Sequence, residues 1–133
     1  MTTYYAKLKG TALCDKNRTK IGADNANKSD WYRNYPFIYC VAIGQDGRNP
    51  AAETFKLQWK VSGGDFADLA ATGALKYTTA TVLTNAGALS QANSKVAVSN
   101  MTWEAGEEIE DGLSASINLG SDAWTELQYG VDC

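Results

Sequence analysis

Histidine is absent from all 133 residues. That removes Ser-His-Asp and Cys-His nucleophile systems, every His-ligated zinc site and the commonest general base. Cysteine is scarce: Cys14, Cys40 and Cys133 are far apart and form no CxxC pair, which argues against a thiolate zinc site or a thioredoxin-type redox pair. An odd, widely spaced set is not a disulfide framework either. Cys40, inside the apolar run FIYCVAI, reads as a small buried side chain, and Cys133 as a free thiol. A Cys14–Cys40 bridge stays open, disfavoured by a cytosolic origin. Phosphate-cradling glycine motifs are missing. No apolar run approaches the ~18 residues of a membrane span. The start, MTTYYAKLKG, lacks the apolar stretch and cleavage site of a signal peptide, so synthesis in a cytosol is expected. The three N-x-S/T triplets, at Asn17, Asn27 and Asn100, then read as chance occurrences. Positive charge is in deficit: the net charge is −3 and the pI about 4.8, which gives no electrostatic reason to bind nucleic acid or an anionic membrane.

What is present is a globular composition, with 44% hydrophobic and 20% charged residues. A chain of this length fits one domain, 1–133, with a core that needs no disulfides. Strand signals dominate. Residues 3–10 alternate. Residues 37–43, FIYCVAI, read as a central strand covered on both faces. In 55–61, Phe55, Leu57, Trp59 and Val61 alternate with Lys56, Gln58 and Lys60. This places the first set on a core face and the second outside, with Gly63-Gly64 turning the hairpin. Residues 75–83, 96–103, 114–119 and 124–131 complete the set. The two weak helix candidates, FADLAATGAL and AGALSQANSK, read as loops or single turns. Seven to eight short strands at regular spacing predict an antiparallel β-sandwich. Two long polar loops, 14–36 and 84–95, interrupt it, and loops of that length are usually functional or ordered by a partner.

Candidate chemistry is thin. The acidic run WEAGEEIEDG carries Glu104, Glu107, Glu108, Glu110 and Asp111. As a site it would be a calcium centre or a carboxylate pair for glycoside hydrolysis. As plain structure it is a solvated loop between strands, turned by Gly106 and Gly112, and this is the expectation. An EF-hand counted from Asp15 needs Gly at Lys20 and Glu at Ala26, and fails at both. Trp59, Trp103 and Trp124 lie in strand patterns and read as core. Trp31, Tyr32 and Tyr35 end a polar loop, where they either contact a partner, protein or sugar, or plug the open end of the sandwich.

The segments FKLQWKVSGGDFADL, TWEAGEEIEDGLSASINL and WTELQYGVD together resemble an immunoglobulin-like or fibronectin-III-like module of tailed-bacteriophage structural proteins and bacterial surface proteins. The residues that carry the likeness are Phe55, Leu57, Gln58, Trp59, Gly63, Gly64 and Phe66, then Trp103, Gly106 and Glu107, then Thr125 to Tyr129. It covers roughly residues 50–132. The resemblance implies an immunoglobulin-like sandwich and a role in adhesion, decoration or assembly rather than catalysis. The expectation is a non-enzymatic virion protein, made in the host cytoplasm, that decorates or cements a capsid by binding the major capsid protein. Attachment to another virion protein at the tail or neck, self-association and glycan binding are the alternatives. No cofactor, metal, nucleic acid or membrane is expected, and Trp31, Tyr32 and Tyr35 are the candidate contact residues.

Overall fold

The computed structural model describes residues 6–28, 34–45 and 51–133. Over these residues the fold is all-β, mostly antiparallel, with no α-helix among them. The strands are β1 (Lys7–Asp15), β2 (Phe37–Gln45), β3 (Ala51–Glu53), β4 (Gln58–Trp59), β5 (Ala67–Asp68), β6 (Lys76–Tyr77), β7 (Gly87–Leu89), β8 (Thr102–Trp103), β9 (Gly106–Ile109), β10 (Ile117–Leu119) and β11 (Ala123–Asp132). Seven of them form one sheet in the order β1-β2-β11-β9-β7, with β6 and β8 also pairing β11. β3 with β10 and β4 with β5 make two small sheets.

The centre of the main sheet is β2 against β11, antiparallel from Ala123↔Gln45 to Val131↔Phe37. Successive side chains of a strand point to opposite faces, and here both faces are covered. Ile43, Leu127, Tyr129 and Val131 pack with Leu69, Tyr77, Ile109 and Leu119 on one side. Ile38, Cys40, Ala42 and Trp124 pack with Leu83 and Val96 on the other. Fully burying a side chain the size of Leu127 or Ile38 stabilises by roughly 1.5–3 kcal/mol, which explains why these two runs hold the middle. The expected central strand FIYCVAI is therefore found, with both faces covered. The small sheets overlie the first face through Phe55, Leu57, Trp59 and Ile117. The mostly irregular stretch 80–101 overlies the second through Leu83, Val96, Val98 and Met101.

Several strand boundaries differ from the sequence expectation. The first strand runs over Lys7–Asp15 rather than 3–10, pairing with β2 past an irregularity at Leu8–Gly10; residues 3–5 lie outside the described residues. Only Lys76–Tyr77 of 75–83 are strand. Thr78 and Thr81 turn their hydroxyls back on the amides of Ala80 and Leu83, an alternative to ladder pairing that threonine readily offers. Of 96–103, only Thr102–Trp103 form a strand, laid parallel to β11, and the Trp103 and Trp124 rings meet edge to face at 4.8 Å. AGALSQANSK contains β7 and one 3-10 turn at Gln91–Asn93.

The 55–61 stretch keeps its alternation but forms only a short hairpin. Gln58↔Asp68 and Trp59↔Ala67 pair. Phe55, Leu57 and Trp59 are half-buried against the core, and Lys56, Gln58 and Lys60 are exposed, as expected. Val61 departs from the expectation. It lies beyond the paired residues and is 68% exposed. Its carbonyl accepts the Gly64 N–H at 2.8 Å, and only Gly63 takes a positive φ, of 81°.

Candidate functional site

The acidic run corrects the sequence reading. It is not a solvated loop: Gly106–Ile109 is an interior strand, parallel to β11 on one side and antiparallel to β7 on the other. Gly106 makes this possible, because a Cβ there would run into the Glu126 carbonyl oxygen of β11. Strand alternation sends Glu107 to the face of Ile109, and Glu108 and Glu110 to the opposite face. Glu107 Oε2 accepts the Ala115 N–H at 2.7 Å. Glu108 pairs with the Arg18 guanidinium. Glu110 Oε1 accepts the Asn85 N–H at 3.0 Å, while Asn85 Oδ1 accepts the Glu110 N–H at 2.8 Å. Glu104 Oε1 faces the Gly120 N–H. Among the described residues no cluster of three or more Cys, Asp or Glu could hold a metal ion. The four glutamates of the run act as clamps on backbone amides and on one arginine, while Asp111 is exposed.

Sequence reasoning missed the most buried of these groups. Glu126 and Gln128 alternate with Leu127, which suggests a solvent face, yet both are fully buried. The Glu126 carboxylate accepts the N–H of Lys95 at 2.8 and 3.0 Å and of Val96 at 2.8 Å. It also accepts the Gln128 side-chain amide at 2.6 Å, and that amide in turn donates to the Asn93 carbonyl. A buried carboxylate is tolerated only with such partners. Stretch 84–95 is thus held by Glu110, just past β9, and by Glu126 and Gln128 of β11.

The described part of loop 14–36 has a similar job. β1 is an edge strand, and an edge exposes unpaired N–H and C=O groups. Here the chain folds back to pair them: Ile21 N–H donates to Leu13 O, Asn25 N–H to Thr11 O, and Thr11 N–H to Asn25 Oδ1 at 2.9 Å. Asp15 Oδ1 accepts the amides of Asn17 and Thr19, closing the turn. Asp24 pairs with Lys20 and accepts the Ala97 N–H at 2.9 Å. Burial pushes the Asp24 carboxyl up, but these two partners outweigh it and hold it below the usual carboxylate range. The Asp and Asn residues that evoked a calcium loop are the fasteners of the β1 edge.

Of the aromatic contact candidates, Tyr35 is 62% exposed, while Trp31 and Tyr32 lie outside the described residues. A second surface feature was not foreseen. Between the β1–β2 edge and β4 lies an open cleft of about 390 Å³. Phe37, Tyr39 and Trp59 line it, with Asn25, Asn27 and Gln58 among its polar groups. The sequence signal was present, in that Phe37 and Tyr39 share a face of β2, but nothing in it placed Trp59 opposite them. At the tip of the β4–β5 hairpin, Val61 and Phe66 stand 68% and 62% exposed, and the Lys60 ammonium lies 4.8 Å from the Phe66 ring centre.

Comparison with protein-family models, with curated proteins and with solved structures finds no significant match.

Proposed function

We propose that the chain is a non-enzymatic structural protein of a tailed-bacteriophage virion, an immunoglobulin-like module that decorates or cements the capsid by binding the major capsid protein. Attachment at the tail or neck is the nearest alternative location. The observation that carries the reading is the β4–β5 hairpin. Single exposed apolar side chains are ordinary, but Val61 and Phe66 flank one tight turn whose geometry Gly63 fixes. Each is an apolar contact point on a backbone that loses little freedom when it docks. The same hairpin belongs to the stretch that carries the resemblance to virion modules. Many copies on a symmetric shell would stabilise it by mass action, because they bind the assembled form.

The test is co-sedimentation of the purified protein with capsids of the phage that encodes it. Wild type should pellet with the shells, and a V61S/F66A variant should stay in the supernatant. Because both side chains are exposed, the variant should keep its stability within about 0.5 kcal/mol. A variant that pellets as well as wild type would remove the hairpin from the contact. Failure of the wild type to pellet would remove the capsid.

A second reading, a carbohydrate-binding module, is favoured by the cleft. Three aromatic side chains beside amide groups suit the apolar faces and hydroxyls of a sugar ring, and the two readings are compatible on one particle. A glycan array with no bound member would sink it.

A further inference from the structure

Cys14 and Cys40 are fully buried thiols whose sulfurs lie 3.8 Å apart. They sit on the hydrogen-bonded strands β1 and β2, facing the same packed layer as Ala12, Ile38 and Trp124. We propose that Cys14 and Cys40 form a latent cross-strand disulfide site, which a small-molecule disulfide oxidant converts to a covalent β1–β2 link without changing the fold.

Register sets the geometry. Cys14 stands opposite Ile38 and Cys40 opposite Ala12, so the two cysteines are diagonal neighbours. In a ladder the diagonal α-carbons are about 7–8 Å apart, beyond the usual spacing of a bridged pair, yet the side chains already lean together to S–H···S distance. Forming the bond brings the sulfurs to about 2.05 Å, a closure of about 2 Å shared between side-chain rotation and a small shear of β1. β1 is the strand able to give. It has one ladder partner, β2, and its outer side is held by the folded-back segment 16–28 rather than by a further strand of the sheet.

The two thiols are not equivalent. The hydrogen bond shared with Cys40 lowers the Cys14 pKa, aided by the nearby Lys95 ammonium and opposed by burial, Glu126 and Asp15. The same hydrogen bond and burial raise Cys40. Cys14 lies on the edge strand β1 and Cys40 on the interior strand β2, so Cys14 is the first nucleophile. On local opening of the β1 edge, its thiolate attacks one sulfur of glutathione disulfide, forming a mixed disulfide and expelling one glutathione thiolate. Cys40 loses its proton to solvent and attacks the Cys14 sulfur, expelling the second. The protein loses two protons and two electrons, and one glutathione disulfide becomes two glutathiones. The link closes the segment 14–40, which contains the long polar loop, and so restrains the unfolded chain.

The experiment uses the full chain and a Cys133→Ser variant, which leaves only this pair. Each is incubated folded with glutathione disulfide and then digested without reduction. The expected result is a Cys14–Cys40 linked peptide, loss of both thiols to alkylation, and a melting temperature raised by about 5–10 °C. Dithiothreitol should reverse all three, and Cys14→Ala and Cys40→Ala should show none of them. Two free thiols after oxidation of the folded Cys133→Ser variant, or a linked form that melts below the reduced one, would overturn the proposal.

Discussion

Glu126 and Gln128 flank Leu127 on β11, and the three are packed equally deep. The apolar one faces the layer built on Ile43 and Tyr129, while the polar pair faces the irregular stretch 80–101 and holds it by its amides. Glu126→Ala should cost about 3 kcal/mol or more in urea unfolding, because it strands the Lys95 and Val96 N–H groups as well as the Gln128 amide. Glu126→Gln, which keeps one carbonyl acceptor, should cost clearly less. Equal, small losses for both would mean that the carboxylate does not hold the loop. Tyr129 makes the opposite kind of demand. It is 2% exposed, and burial, then the neighbouring Tyr77 and Glu107, raise its pKa. Burial raises Tyr77 as well, in part against a backbone hydrogen bond. The folded chain keeps both phenols protonated while the unfolded chain releases them near pH 10. Their contribution is thus fully present below pH 10 and is lost as pH rises from there toward the folded values. Stability should fall by about 1.4 kcal/mol per pH unit per tyrosine in that window. Urea midpoints between pH 9 and 11 should show the fall, and Tyr129→Phe should flatten it. An identical slope in the variant would assign the loss to other groups.

At the scale of elements, the fold is a problem of edges and coverings. The edge of β1 is paired by the turn-back at Thr19 to Asn25, and Asn25 does this from a positive φ of 60°, a conformation asparagine tolerates better than most residues. Asn25→Ala loses the bond to the Thr11 amide and adds backbone strain, so it should destabilise by about 1–2 kcal/mol. Hydrogen exchange should quicken first at Thr11 and along β1, and an unchanged Thr11 rate would contradict this role. The sequence made FIYCVAI legible as a central strand, because it is apolar throughout, and 124–131 legible as a strand, though its alternation with Glu126 and Gln128 hid that it lies beside the first at the centre. The acidic strand β9 was hidden for a physical reason. Its two glutamates and Glu110 just beyond it look solvated, and their partners, Ala115, Arg18 and Asn85, are scattered along the chain. Its parallel pairing with β11 also depends on a close backbone approach at Gly106 that no periodicity announces. The described part of 14–36 is largely irregular past β1, as expected, whereas 84–95 carries the short strand β7. That the side chains of Asp15, Asp24, Asn25 and Asn85 accept the chain's own amides was not legible.

At the scale of the molecule, the described acidic side chains of the two long loops and of β9 and β11 are engaged inside the fold. Among the described residues, exposed apolar and aromatic features include Val61 and Phe66 at the hairpin tip and the cleft of Phe37, Tyr39 and Trp59. A polar frame that fastens itself and an apolar tip that does not contribute to the core suit a protein that binds as a rigid body. The measurement that tests the central proposal most directly is quantitative mass spectrometry of purified virus particles from cells that produce this chain. A decoration role predicts a fixed stoichiometric ratio to the major capsid protein that survives density-gradient purification. A ratio near zero in intact particles, with the protein recovered only in the soluble lysate, would contradict it.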